Sequence, residues 1–176
     1  MYGFSGSILY IDLTSRRVHK KPLDIKIAKR FLGGYGINNK LLFDTLKVGI
    51  DPLSPENPLI LGAGPLVGTP APGAAKIVAT TKLPMTNSYG SPAGGGSFAL
   101  HLKMAGYDHV IITGRADTPV YVAILDDKVE IHSARNLWGK GIFDTTEELR
   151  SRYGGGGVIA IGPAGENIVN FSIALV

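Results

Sequence analysis

The sequence predicts an α+β domain made of a duplicated unit, giving two packed, mainly antiparallel β-sheets with flanking helices. Three observations lead there. Short apolar runs of strand length are bounded by turn-forming Gly, Asp, Ser and Pro. Between them lie segments with helical spacing that begin at an acidic or small residue and end at glycine. The order of hairpin, glycine-broken helix and strand ending in Gly-Pro occurs twice. At 176 residues, with 44% hydrophobic and 18% charged residues, the chain is long enough to bury a real core and has the size of one domain.

Taken in order, SILYIDL (7–13) and RRVHKKP (16–22) form a hairpin turning at Thr14-Ser15. Asp24 can cap a helix over 24–32, because its carboxylate can accept from a free N–H of the first turn, and Gly33-Gly34 closes it. Helical spacing resumes in INNKLLFDTL (37–46), and VGIDPLSPENP is a loop. PLILGAGPLVG and AAKIVATTK follow as strands. In SPAGGGSFALHLKMAG (91–106) three glycines stand at the mouth of a helix predicted over 97–105. First-turn N–H groups without intrahelical partners would there face an anion. HVIITG, PVYVAILD and KVEIHSA are three short strands with Asp126-Asp127 in a turn. Asp144 is expected to cap a helix over 145–152, and GVIAIGPAG and NIVNFSIALV are the last strands.

The repeat pairs SILYIDLTSRRVHKK with VYVAILDDKVEIHSA, LGGYGINNKLLFDTL with LWGKGIFDTTEELRS, and LILGAGPLVG with VIAIGPAGEN. Gly64-Pro65 then matches Gly162-Pro163. The offset between partners shrinks steadily along the chain, as unequal loops would require.

Composition excludes several functions. No apolar run approaches the ~18 residues of a membrane span, and MYGFSGSILY lacks a basic segment followed by an apolar one, so a cytoplasmic protein is expected. The formal charge of +4 is modest and its Lys and Arg are dispersed, which argues against a nucleic-acid-binding stripe. Without cysteine, the chain can form neither a disulfide nor a thiolate metal or iron–sulfur site from its own residues.

Self-contained catalytic motifs are missing as well. GGGSFA (94–99) fits a dinucleotide fingerprint only formally, since no strand runs directly into the turn. There is no phosphate-binding G-x-x-x-x-G-K-[ST] and no G-x-S-x-G nucleophile elbow. His19, His101, His109 and His132 lack metal-ligand spacing and read as surface or strand residues.

A set of ordered landmarks points further. MYGFSGSILYIDLTSRRV, LGGYGIN, VGIDPLSPENPLILGAGPLVGTPAPG, TTKLPMT, AGYDHVIITGRADTPVYV, NLWGK and IGPAGEN together resemble the N-terminal domain of the tungsten-containing aldehyde ferredoxin oxidoreductases, across residues 1–176. The resemblance implies a duplicated α+β platform for a tungsten (or molybdenum) centre held between two molybdopterin-type pterins. It also implies a magnesium ion bridging the pterin phosphates and a [4Fe–4S] cluster ligated from later domains. Residue by residue, it implies cofactor contacts at Lys76, Ala93, Gly94, Gly95 and Gly96, with the Ala93 backbone carbonyl toward the magnesium. Lys76 stands where familiar members carry arginine, so a point charge replaces a planar fork, and Ala93 stands where asparagine is familiar.

On this resemblance the whole enzyme oxidises aldehydes to carboxylates and passes electrons through the cluster to ferredoxin. No residue of the present chain is expected to be catalytic. Its partners are the remaining domains of the enzyme, and the isolated chain is expected to be inactive, truncated and prone to self-association. Two other readings stand beside it: a non-catalytic binding or assembly module with the same fold, and a relative acting on another substrate such as an aromatic acid thioester.

Overall fold

A computed structural model describes residues 2–176. Its main sheet holds seven strands. The hairpin β1 (Ser7–Asp12) and β2 (Arg17–Pro22) forms as the sequence predicts. Asp12 accepts from the backbone N–H groups of Thr14 and Ser15, at 2.9 and 3.2 Å, and so stabilises the turn. Helix α1 (Ile25–Phe31) is capped by Asp24, whose carboxylate accepts from the Lys26 N–H at 2.8 Å. Helix α2 (Tyr35–Thr45) starts at Gly34, and β3 (Leu59–Ala63) and β4 (Lys76–Lys82) follow.

Two short pieces, β5 (Tyr89–Gly90) and β6 (Ala93–Gly95), run along the outer edge of β4. After α3 (Phe98–Met104), strand β7 (His109–Thr113) inserts between β1 and β3. It pairs parallel with β1 and antiparallel with β3, so the strand order is β2-β1-β7-β3-β4-β5 with β6 also on β4.

Alternation along these strands divides the core into two layers. Leu9, Ile11, Leu61, Ala63, Ile77 and Val110 face one side. Over them pack α3 and the antiparallel hairpin of β8 (Val120–Leu125) and β9 (Lys128–Ser133), through Val122, Ile124, Val129 and Ile131. Ile8, Ile60 and Ile111 face the other side, against Ile37, Leu41 and Leu42 of α2. A second two-stranded sheet joins β10 (Ala160–Ile161) to β11 (Ala174–Leu175), beside α4 (Ile142–Tyr153) and the single turn α5 (Pro163–Glu166).

The fold is therefore α+β, with a mixed main sheet, smaller antiparallel sheets and five helices among the described residues. Hairpin, helix and strand recur in the predicted order: β1–β2, α2 and β3, then β8–β9, α4 and β10.

Local details differ from the sequence reading. Asp144 does not cap α4; the helix starts at Gly141 and Asp144 lies in the first turn, where its charge still suits the positive end of the dipole. The last predicted strands are shorter, because Pro163 fits the first position of a helix and starts α5. The parallel strand β7 was not separable from β8 and β9 by its sequence.

A buried ion pair secures the N-terminal loop. Lys103 Nζ lies 2.8 Å from Asp108 Oδ1, with the two side chains 9% and 1% exposed. The Asp108 carboxylate also accepts from the N–H groups of Ser5 and Gly6, and Lys103 donates to the Gly3 carbonyl. Those further bonds offset the cost of removing both charges from water.

Candidate functional site

The five site residues predicted from sequence meet at one corner of the main sheet. Lys76 opens β4, and the antiparallel register sets it opposite Gly95, Ile77 opposite Gly94 and Val78 opposite Ala93. Directly opposed residues share a face, so Lys76 and Gly95 lie on the same side of the sheet despite their separation along the chain. Both are exposed.

The glycines precede a helix as expected, but two of them are themselves in a strand. Gly94 and Gly95 belong to the edge strand β6, while α3 begins only at Phe98 with Ser97 before it. The unpaired outer edge of β4 offers this segment a ladder of backbone partners, and three successive residues take it. The free N–H groups of these glycines are therefore those of an edge strand and not those of a first helical turn.

The phase of that ladder follows from one bond. The Ala79 N–H donates to the Pro92 carbonyl at 2.9 Å, so hydrogen-bonded pairs alternate from there and Gly94 faces Ile77 as the next such pair. Ala93 and Gly95 fall on the alternate positions, and their N–H and C=O groups turn to the open edge.

Side-chain directions divide the glycine run in two. A Cβ on Gly94 would meet Val176 Cγ2 at 2.6 Å, and one on Gly96 would meet Val176 Cγ1 at 3.2 Å. These two glycines admit the chain's own Val176, which packs against the core. A Cβ on Gly95 would meet nothing within 4 Å. Only Gly95 opens toward solvent on the Lys76 side.

Charge at this corner is uncompensated. Among the described residues no carboxylate pairs with Lys76, whereas Lys20, Lys40, Lys47, Lys103, Lys128 and Lys140 all have one. A Cβ on Gly34, where α2 starts, would lie 3.5 Å from Val78 Cγ2, so the positive end of that helix dipole sits over the same row of β4. An exposed cation, an outward N–H at Gly95 and an outward carbonyl at Ala93 fit a group bearing phosphate and a bridging cation.

Two shallow cavities of about 330 Å3 each lie elsewhere, one over the 68–75 loop beside Leu100 and one between Lys47, Glu56 and Thr113. Neither includes Lys76 or Gly95. Among the described residues no group of three or more His, Asp or Glu side chains could hold a metal ion. An ion at this corner would bind through backbone oxygen and the ligand's own atoms.

Sequence reasoning missed a second set of polar residues. Asn38, Thr80 and His109 are fully buried, and His109 Nδ1 lies 2.8 Å from Asn38 Oδ1. Burial pushes the His109 imidazole down to about 4; Lys103 adds to that and Asp108 opposes it. The ring is therefore neutral at pH 7. Its Nε2 is buried without a partner among the described residues. The only sequence signal was polarity at positions where apolar periodicity called for core.

Comparison with known proteins places this architecture. The profile described as "Aldehyde ferredoxin oxidoreductase, N-terminal domain" matches residues 8–176. A tungsten-containing aldehyde ferredoxin oxidoreductase from Pyrococcus furiosus is 40% identical over 98% of this chain, which corresponds to 29% of that protein. A protein of the same organism named "Aliphatic sulfonate oxidoreductase, WOR-like subunit" is 36% identical over 98% of this chain and 30% of its own length. A solved structure described as "Active site complex BamBC of Benzoyl Coenzyme A reductase in complex with 1,5 Dienoyl-CoA" superposes with a TM-score of 0.95 at 39% identity, covering 98% of this chain and 27% of that one. The chain thus spans less than a third of the length of the relatives it matches.

Proposed function

Because the chain belongs to the aldehyde ferredoxin oxidoreductase N-terminal domain family, we propose that it is the pterin-binding platform of a tungsten-dependent oxidoreductase that converts aldehydes to carboxylates and delivers electrons to ferredoxin. The observation that carries the reading is the β4–β6 register, which sets Lys76 beside the open backbone of Gly95 and two residues from the outward carbonyl of Ala93. When bound, the tungsten bis-pterin group supplies a two-electron redox centre, with a [4Fe–4S] cluster held by other domains as the single-electron outlet.

The chain's own part is binding and orientation. Lys76 places a cation against phosphate oxygens, and the Gly95 N–H donates to the same anion. The Ala93 carbonyl offers an oxygen ligand of the kind magnesium prefers. Lysine in place of arginine gives a point charge without a planar fork, so geometry at this phosphate rests on the backbone of β6. No side chain of this domain takes part in the chemistry. The other domains of the same enzyme are its partners, and the exposed Ile168, Phe171 and Ile173 are apolar surface for contact with them or with a second copy.

Substrate class has a second reading with its own support. The benzoyl-CoA reductase complex matches almost the whole chain at an identity close to that of the aldehyde oxidoreductase. An aromatic acid thioester is therefore the alternative substrate on the same platform.

The test uses the intact protein loaded at limiting cofactor, with tungsten and pterin phosphate measured per chain. Lys76→Glu sets a like charge against phosphate and lowers affinity about ten- to a hundredfold, from the ~1.5–3 kcal/mol carried by a charge-assisted contact. Lys76→Arg keeps or raises occupancy. Full tungsten in the Lys76→Glu protein would remove Lys76 from the site, and no saturable pterin binding by the wild type would favour the non-catalytic module.

A further inference from the structure

A row of polar side chains crosses the interior from β7 to the entrance of β6. His109 Nδ1 is 2.8 Å from Asn38 Oδ1, and Asn38 Nδ2 reaches the carbonyls of Ile60 and Val78 at 3.2 and 3.0 Å and Thr80 Oγ1 at 3.2 Å. Those carbonyls fix the amide orientation, since Oδ1 in that place would face two acceptors. Oδ1 only accepts, so the His109 proton is on Nδ1. Thr80 Oγ1 donates to Ser91 Oγ at 3.0 Å, and Ser91 Oγ donates to Asn39 Oδ1 at 3.1 Å. Every proton in the row points outward from His109 to Asn39.

The row ends beside a break in the edge pairing. The register that pairs Thr81 with Gly90 and Val78 with Ala93 sets Thr80 opposite Ser91 and Ala79 opposite Pro92. Pro92 has no N–H, so the ladder along β4 loses one rung opposite Ala79, between β5 and β6. The Thr80–Ser91 bond ties the edge to the interior beside that gap. Along the same face the next pair is Val78–Ala93 and the one after it Lys76–Gly95.

We propose that Thr80 is a positioning residue for the Ala93–Gly95 edge: held by Asn38, which His109 bonds in turn, its hydroxyl anchors Ser91 and thereby aims the Ala93 carbonyl and the Gly95 N–H. Its importance to the cofactor rests on the reading of that edge given above. Thr80→Val is the discriminating change, because valine keeps the shape and Asn38 Nδ2 keeps the Ile60 and Val78 carbonyls, so the fold stands.

The experiment is amide hydrogen exchange of the intact protein, read on peptides covering 89–96 and, as internal reference, on β1 and β7. Thr80→Val accelerates exchange of the ladder-bonded amides in 89–96, those of Gly90 and Gly94, about tenfold and leaves β1 and β7 at wild-type rates, as local opening without global loss requires. Thr80→Ser, which retains the hydroxyl, restores wild-type protection. Wild-type exchange over 89–96 in Thr80→Val, equal acceleration everywhere, or failure of Thr80→Ser to restore protection would each overturn the proposal. Tungsten per chain is measured on the same samples. Accelerated exchange with unchanged tungsten would uphold the positioning of the edge and refute its assignment to the cofactor.

Discussion

Replacing Gly62 with alanine tests the buried contact on which the interior row depends. Gly62 lies mid-strand in β3, opposite His109 and Val78. An added Cβ would come within 2.7 Å of His109 Cε1, and closer still to His109 Nδ1 and Asn38 Oδ1. Neither side chain can swing into solvent, since both are fully buried. Overpacking costs about 1–3 kcal/mol. Parting the His109–Asn38 bond leaves a donor and an acceptor unpaired at about 1–3 kcal/mol for each group. Partial relaxation brings the expected loss to about 3–5 kcal/mol. Thermal unfolding of the intact protein, with Asn38→Ala and the Gly62→Ala/Asn38→Ala double variant alongside, reads both the size and the coupling. The double variant should be less destabilised than the sum by about 1–2 kcal/mol, because Asn38→Ala removes one clashing atom. A Gly62→Ala protein within about 0.5 kcal/mol of wild type, or strict additivity, would refute the reasoning.

Acid sensitivity follows from His109. In the unfolded chain it takes a proton near 6.5 and in the folded chain only at about 4, so its protonation leaves stability unchanged above pH 6.5 and folding stability falls as pH drops from 6.5 to 4. The full loss is about 3 kcal/mol, from ~1.36 kcal/mol per pH unit. Denaturation across that window should be shallower in pH for His109→Asn than for wild type, and parallel slopes would count against it. At the glycine run, Gly94→Ala should destabilise by about 1–2 kcal/mol through its clash with Val176. Gly95→Ala should leave the melting temperature unchanged while lowering tungsten per chain, and the reverse pattern would exchange the two roles.

The chain by itself determined its local elements and its family. Asp24 before IKIAKRF, Thr14-Ser15 between two strand runs and Asp126-Asp127 between two more are short-range signals, and each produced the predicted cap or turn. Long landmarks such as DPLSPENPLI and IGPAGEN carried the family. Lys76 and Ala93 were singled out only through that resemblance, whereas the run Gly94 to Gly96 also stood out as three consecutive glycines before a helix.

Tertiary structure decided the rest, because strand pairing is non-local. HVIITG carries no mark that it inserts parallel to β1 and antiparallel to β3. The glycine run precedes α3 as its neighbours indicated; the free edge of β4 also drew Gly94 and Gly95 into a strand, and packing set Gly94 and Gly96 against Val176 and Gly95 beside Lys76. Asn38 and His109, 71 residues apart, become partners only when α2 lies across the sheet and Gly62 leaves room between them. A hydrogen bond between distant residues depends on register and packing together, and neither is encoded within the span of either residue's neighbours.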